Sequence, residues 1–280
     1  MKKACDEPSL KTWHLNIAAV TAENPAANGL LEVSAFLAPD EIPERTLTAG
    51  AAHFEAELGN YLQGSARHPE GANDAREEAV SLALREILSL LSQYSLVRWS
   101  GELSTYSVHR LVQAVVRDQI PAAKAAHCLG QVTAAVADAY PGQEFAQWPQ
   151  CRQLLPHWLR IVEQAEAIES HSVALGTVCT QAGFSLKAQG RYGEAEPLYV
   201  EALEIYKTAL GDRHPDTATS LFNLAVLYHQ TQRSKQAQDY IKQALAIYIP
   251  ILGHDHPMTQ SANSWLQSIE QVLAKDSIKD

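Results

Sequence analysis

Leu210-Gly211-Asp212-Arg213-His214-Pro215 returns as Leu252-Gly253-His254-Asp255-His256-Pro257, and this echo decides the reading of the chain. Working outward, Gln189-Gly190-Arg191-Tyr192-Gly193-Glu194-Ala195 aligns with Thr231-Gln232-Arg233-Ser234-Lys235-Gln236-Ala237. Glu201-Ala202-Leu203-Glu204-Ile205-Tyr206 aligns with Gln243-Ala244-Leu245-Ala246-Ile247-Tyr248. Position 191 answers to 233, 206 to 248 and 215 to 257, a constant offset of 42 with no gap. A fixed period of this length marks a repeat architecture, in which each unit buries its apolar face against the next.

Each unit reads as two helices, the first over 172–188 and 216–230, the second over 192–209 and 234–251. Small residues (Gly183 and Ala195, then Ala225 and Ala237) stand where two helices approach, and Leu186, Tyr199, Tyr206, Tyr228, Ile241 and Tyr248 fill between them. Leu-Gly ends the second helix, because glycine adopts the left-handed cap, and His-Pro starts the next, because proline suits a helix's first turn. These units resemble tetratricopeptide (TPR) repeats of the kinesin-light-chain type, in which Leu-Gly-x-x-His-Pro is the recurring linker. The resemblance covers about 172–273, with 257–273 as a capping helix. It implies a protein or peptide partner on the concave face. Transferred residue by residue, the TPR pattern puts Thr177, Thr180, Gln181, Phe184 and Lys187 there from the first unit. Thr219, Phe222, Asn223, Val226 and His229 follow from the second, with Asn223 expected to bond a ligand's backbone. Packing of the repeats on the preceding domain is the competing use of that face.

The preceding 170 residues have a different texture. Helices are expected over 13–20, 26–37, about 42–58 and 79–94, with a Gly-, Pro- and Ser-rich loop over 59–73. Leu96-Val97-Arg98-Trp99 and Thr105-Tyr106-Ser107-Val108, joined by Ser100-Gly101-Glu102-Leu103, form a hairpin signal. A helix over 109–119 comes next, and two more over about 122–140 and 150–168. Helices, a hairpin, then a helix is the order of a winged helix.

Ala35-Phe36-Leu37-Ala38-Pro39-Asp40, Tyr94-Ser95-Leu96, Val108-His109-Arg110-Leu111-Val112-Gln113 and Leu155-Pro156-His157 look like segments of bacterial STAND signalling ATPases of the NB-ARC type. In that family a P-loop ATPase precedes a winged helix, a helical bridge and kinesin-light-chain-like repeats. The expected fold is therefore mainly α: a winged-helix module with a small β-hairpin over 1–120, a helical bridge over 121–170, and a TPR α-solenoid over 171–280. The resemblance aligns His109 with a histidine that touches ADP, so His109 is a nucleotide contact only where an ATPase domain is supplied. Arg110 replaces that signature's acid, and a helix cap is the competing role for His109.

No Gly-x-x-x-x-Gly-Lys-Ser/Thr stretch occurs in the sequence, and no aliphatic run ends in paired acids. Without amides and a lysine to cradle phosphates there is no platform for NTP hydrolysis. The chain is expected to be non-enzymatic, with no cofactor and no catalytic residues. His254-Asp255-His256 belongs to the repeat linker and predicts no metal. The lack of a linker before Trp13, where such an ATPase would have just ended, makes a truncated chain plausible.

Charge narrows the partners further. The formal net charge is −10, and residues 1–170 carry 21 acidic against 13 basic side chains. An acidic chain repels a phosphate backbone, so nucleic acid is not expected despite Arg98, Arg110, Arg117 and Lys124 near the hairpin. No apolar run approaches the roughly 20 residues of a membrane span, and four scattered cysteines with no CxxC pair suit reduced thiols. A soluble, cytoplasmic interaction and sensor segment of a STAND-type protein is the leading expectation. A free-standing TPR adaptor and a winged-helix DNA-binding regulator are the alternatives.

Overall fold

A computed structural model describes residues 7–65, 73–142 and 144–276. They divide into two compact units, Met1–Ser170 and His171–Asp280.

The first unit begins with α1 (Glu7–Glu23) and α2 (Pro25–Ser34). Between them Asn24 Oδ1 accepts the Ala26 N–H at 3.0 Å, and Pro25 sits in the first turn where it lacks nothing. The helix expected over 42–58 is broken. Ile42–Pro43 forms a short strand, β1, before α3 (Glu44–Ala49), and a 3-10 turn (Ala51–His53) leads to α4 (Ala56–Ser65). Proline donates no ladder bond, which suits an edge strand, and β1 is one. Residues 59–65, read as loop, are helical, and 66–72 lie outside the described residues. Leu58 and Leu62 are buried one turn apart, so burial overrides the local glycine signal. Gly59 serves contact rather than a turn: a Cβ there would stand 2.0 Å from the Phe54 carbonyl oxygen.

After α5 (Asn73–Gln93) come β2 (Val97–Ser100) and β3 (Thr105–Val108). The antiparallel sheet has the order β1-β3-β2, with Ile42 opposite Tyr106 and Trp99 opposite Tyr106 on the other side. Tyr106 is fully covered, and its hydroxyl shares a 2.8 Å hydrogen bond with Ser34 Oγ. Glu44 is also buried, its carboxylate accepting from Trp99 Nε1 at 2.7 Å and Arg85 Nε at 3.1 Å. Those two donors satisfy a group that would otherwise be costly to bury. Helices α6 (Arg110–Gln119), α7 (Ala122–Asp138) and α8 (Trp148–Ala167) complete the unit. Helix α7 packs on α2 and α3, and α8 on β1 and α7.

The second unit is five helices in succession: α9 (Val173–Ala188), α10 (Tyr192–Leu210), α11 (Pro215–Gln230), α12 (Ser234–Leu252) and α13 (Pro257–Asp276). Each packs mainly on the next. The small residues do what their positions predict. A Cβ on Gly183 would meet the Tyr199 ring at 2.8 Å, and Ala195, Ala225 and Ala237 are fully buried. Gly211 and Gly253 end α10 and α12 at positive φ, 94° and 84°, as C-caps. The fold is mainly α with one small sheet and a TPR-type solenoid.

Candidate interaction surface

One position in the first helix of each repeat bonds to its own partner helix. Thr177 Oγ1 shares a 3.1 Å hydrogen bond with the Tyr206 hydroxyl, and the Tyr248 hydroxyl donates to Thr219 Oγ1 at 3.0 Å. Both threonines also cap a carbonyl one turn back, Val173 and Pro215. Their hydroxyls thereby hold the helix pair together, while both residues stay partly open to solvent. Val226 and Gln181 are covered as well, at 4% and 8% exposure, so they support the face from beneath.

Thr180, Phe184, Lys187, Phe222, Asn223 and His229 remain partly open to solvent. Thr180, Phe184 and Lys187, spaced four and three apart, form a stripe along α9, and Phe222 and His229, seven apart with Asn223 beside them, form one along α11. The hydroxyl of Thr180 donates to Gly176 O at 2.9 Å. The ammonium of Lys187 lies 5.0 Å from the Phe184 ring centroid, a cation–π distance. Burial pulls the Lys187 pKa below its usual value, and no carboxylate pairs with it among the described residues. The His229 ring meets the edge of Trp265 on α13, with centroids 5.6 Å apart at 78°. Its Nδ1 is buried without a hydrogen-bond partner. Position 265 is 223 plus 42, so Trp265 continues the row of Gln181 and Asn223 and extends it in aromatic form. Sequence reading missed Trp265 because the full repeat pattern lapses in α13; the offset alone would have found it.

The linker histidines have a defined task. His214 Nδ1 accepts the Asp216 N–H at 3.2 Å, and His256 Nδ1 accepts the Met258 N–H at 3.3 Å, each capping the helix that follows. His109 does the same in the first unit, its Nδ1 accepting the Leu111 N–H at 3.2 Å at the start of α6. The Trp13 ring lies 5.4 Å from it. His109 therefore has a complete local role as a cap. It also lines an open cleft of about 580 Å³, with Asp40, Ser95, Arg98, Trp99 and Arg110 among the walls.

The repeats are also clipped to each other. Arg233 donates to both oxygens of Glu196, at 3.0 and 2.6 Å, while its guanidinium lies 4.1 Å over the Tyr228 ring. These hydrogen bonds first, and the positive charge as well, hold the Glu196 pKa below the usual carboxylate value.

Comparison with known proteins follows this division. Residues 174–249 match the tetratricopeptide repeat family, and residues 18–125 match a domain of unknown function, DUF7779. The tetratricopeptide repeat match thus falls within the second unit and the DUF7779 match within the first. Protein KINESIN LIGHT CHAIN-RELATED 3 of Arabidopsis thaliana is 32% identical over 90 residues, 32% of this chain and 14% of that protein. A nucleotide-binding leucine-rich repeat (NLR)-like protein of Hyaloscypha variabilis is 25% identical over 215 residues, 76% of this chain and 19% of that protein. The chain thus spans under a fifth of the length of these relatives. Among solved structures, BtubC (BKLC) from P. vanneervenii has a TM-score of 0.48 at 17% identity, covering 79% of this chain and 85% of that one. No helix among the described residues is long and apolar enough to cross a membrane.

Proposed function

We propose that the chain is a non-enzymatic protein-interaction and sensor segment of a STAND/NB-ARC-type signalling protein, with its partner held on the concave face of the repeats. One observation carries this reading: the likeness to an NLR-like protein runs over 215 residues, more than either unit contains. In this reading the sheet with α6 is a winged helix, α7 and α8 are the bridge, and the repeats receive the signal. His109 would meet nucleotide only with an ATPase domain present, and the site of action would be the cytoplasm. The open row of Phe184, Lys187, Phe222, Asn223, His229 and Trp265 supports a peptide or helix as ligand, since it offers aromatic surface beside uncommitted polar groups.

Affinity capture on the immobilised chain tests the groove. A partner retained by the wild type should be lost with Phe222→Ala/Asn223→Ala while helicity by circular dichroism is unchanged; retention by the variant sinks the assignment. ATP turnover by the purified chain would overturn the non-enzymatic part. An immunoblot of native lysate with an antibody to 172–273 separates the contexts. A band well above 30.7 kDa fits a segment of a larger signalling protein, and one at 30.7 kDa fits an adaptor.

A further inference from the structure

On the first unit, a second cleft lies beside the one His109 lines, sharing Pro39 and Arg110 with it. It has a volume of about 450 Å³, and three arginines reach it: Arg110 and Arg117 from α6 and Arg160 from α8. Ala38, Pro39, Pro156 and Leu159 supply apolar wall, and Glu163 is the one acid in the lining. Three guanidinium groups against one carboxylate leave an excess of two positive charges in a chain whose net charge is −10.

The three are held differently. Arg117 is half-buried and anchored, its Nη1 donating to the Ala35 carbonyl at the end of α2. Its neighbour Gln113 bonds Ser34 O at 2.8 Å and Leu37 O at 3.2 Å, so the floor of the cleft is rigid. Arg160 pairs with Glu163 at 2.5 Å. The Arg110 side chain is exposed, and among the described residues it has no partner. Burial, and next the charge of Arg160, push the Arg117 guanidinium below its ordinary pKa, while Asp118 and Glu163 act in the opposite sense. Three guanidinium groups around one cleft, with Glu163 the one acid in its lining, favour an anion there.

We propose that this cleft binds a phosphate monoester, whose dianion matches the surplus of two charges and whose ester body rests on the Pro39, Pro156 and Leu159 wall. Arginine suits the task because its planar fork meets phosphate oxygens two at a time. A phosphorylated side chain and a free small monoester share this chemistry.

Calorimetric titration of the full chain with phenyl phosphate tests it. The wild type should bind saturably, and more weakly as salt rises. Arg110→Ala should weaken binding about tenfold, the scale of a lost charge-assisted contact. Glu163→Gln should strengthen it, a gain that misfolding would not mimic. Arg98→Ala, in the neighbouring cleft only, should leave it unchanged. Tighter binding of a phosphoserine peptide than of phenyl phosphate would assign the group to a protein partner, and the reverse to a small metabolite. Absence of saturable binding, indifference to both Arg110→Ala and Glu163→Gln, or binding of duplex DNA in place of phenyl phosphate would overturn the proposal.

Discussion

The Tyr248 hydroxyl stands 3.0 Å from Thr219 Oγ1, and Tyr206 stands 3.1 Å from Thr177 in the same relation one repeat earlier. The pair is a latch within each helix hairpin, and its two halves differ in what they leave behind when removed. Tyr248→Phe leaves Thr219 still donating to Pro215 O, so the expected loss is about 1 kcal/mol. Thr219→Val strands a hydroxyl on a tyrosine that is 1% exposed and should cost more, about 2 kcal/mol. Urea unfolding of both variants and their double mutant checks the order; equal losses would refute the latch.

Two glycines in helices should respond with opposite signs. Gly59→Ala drives a Cβ to 2.0 Å from the Phe54 carbonyl and should destabilise the chain by about 3 kcal/mol. Gly130, within α7, has nothing within 4 Å of an added Cβ, so Gly130→Ala should stabilise by about 1 kcal/mol. Thermal unfolding midpoints of the two variants give the comparison.

The contrast shows where sequence reading stops. Composition marks 59–73 as loop, yet Gly59 lies in α4, where a Cβ would strike the Phe54 carbonyl as the chain turns into the helix, a demand of geometry that composition does not show. Ile42–Pro43 reads as the start of a helix because a two-residue strand has no periodicity; only its partner Thr105–Tyr106 reveals it. The repeats were legible because a constant offset tests many positions at once, and Gly183, Ala195 and Ala237 lie where that pattern put them. Of the groove, the stripe could be read, but the burial of Val226 and the engaged hydroxyls of Thr177 and Thr219 depend on packing. The arginine cleft gathers residues from positions 38 to 163, so no window of sequence contains it.

His157 makes the first unit sensitive to acid. Burial pulls its pKa from 6.5 to about 4, with only a 3.4 Å contact to the Glu41 carbonyl in compensation. The unfolded chain therefore takes up a proton below pH 6.5 that the folded chain refuses until about pH 4. Stability from this group is complete above pH 6.5 and is lost as pH falls toward 4, by about 3 kcal/mol in total. His157→Gln should flatten this part of the stability–pH curve; an unchanged curve would show that His157 does not set it.

The clip between repeats should prove geometric rather than ionic. Arg233 and Glu196 are each about one-third exposed, so solvent screens much of their attraction. Arg233→Lys keeps the charge but loses the bidentate fork and the stacking on Tyr228, and it should cost nearly as much as Arg233→Met, each under about 1 kcal/mol. Full rescue by lysine would mean that charge alone matters. Guanidinium and urea midpoints, compared, separate the ionic share.

The sheet of the first unit has a consequence for synthesis. Strand β1 near residue 42 has no partner until residue 106 exists, and Arg45 waits for Gln150. On the ribosome, then, α1 to α4 emerge with their closing contacts still unmade, and the unit completes only once α8 has left the exit tunnel. Most contacts in the repeats join helices adjacent in sequence, so each hairpin can settle largely as it appears. The nascent first unit therefore spends longer exposed to chaperones than the array that follows it.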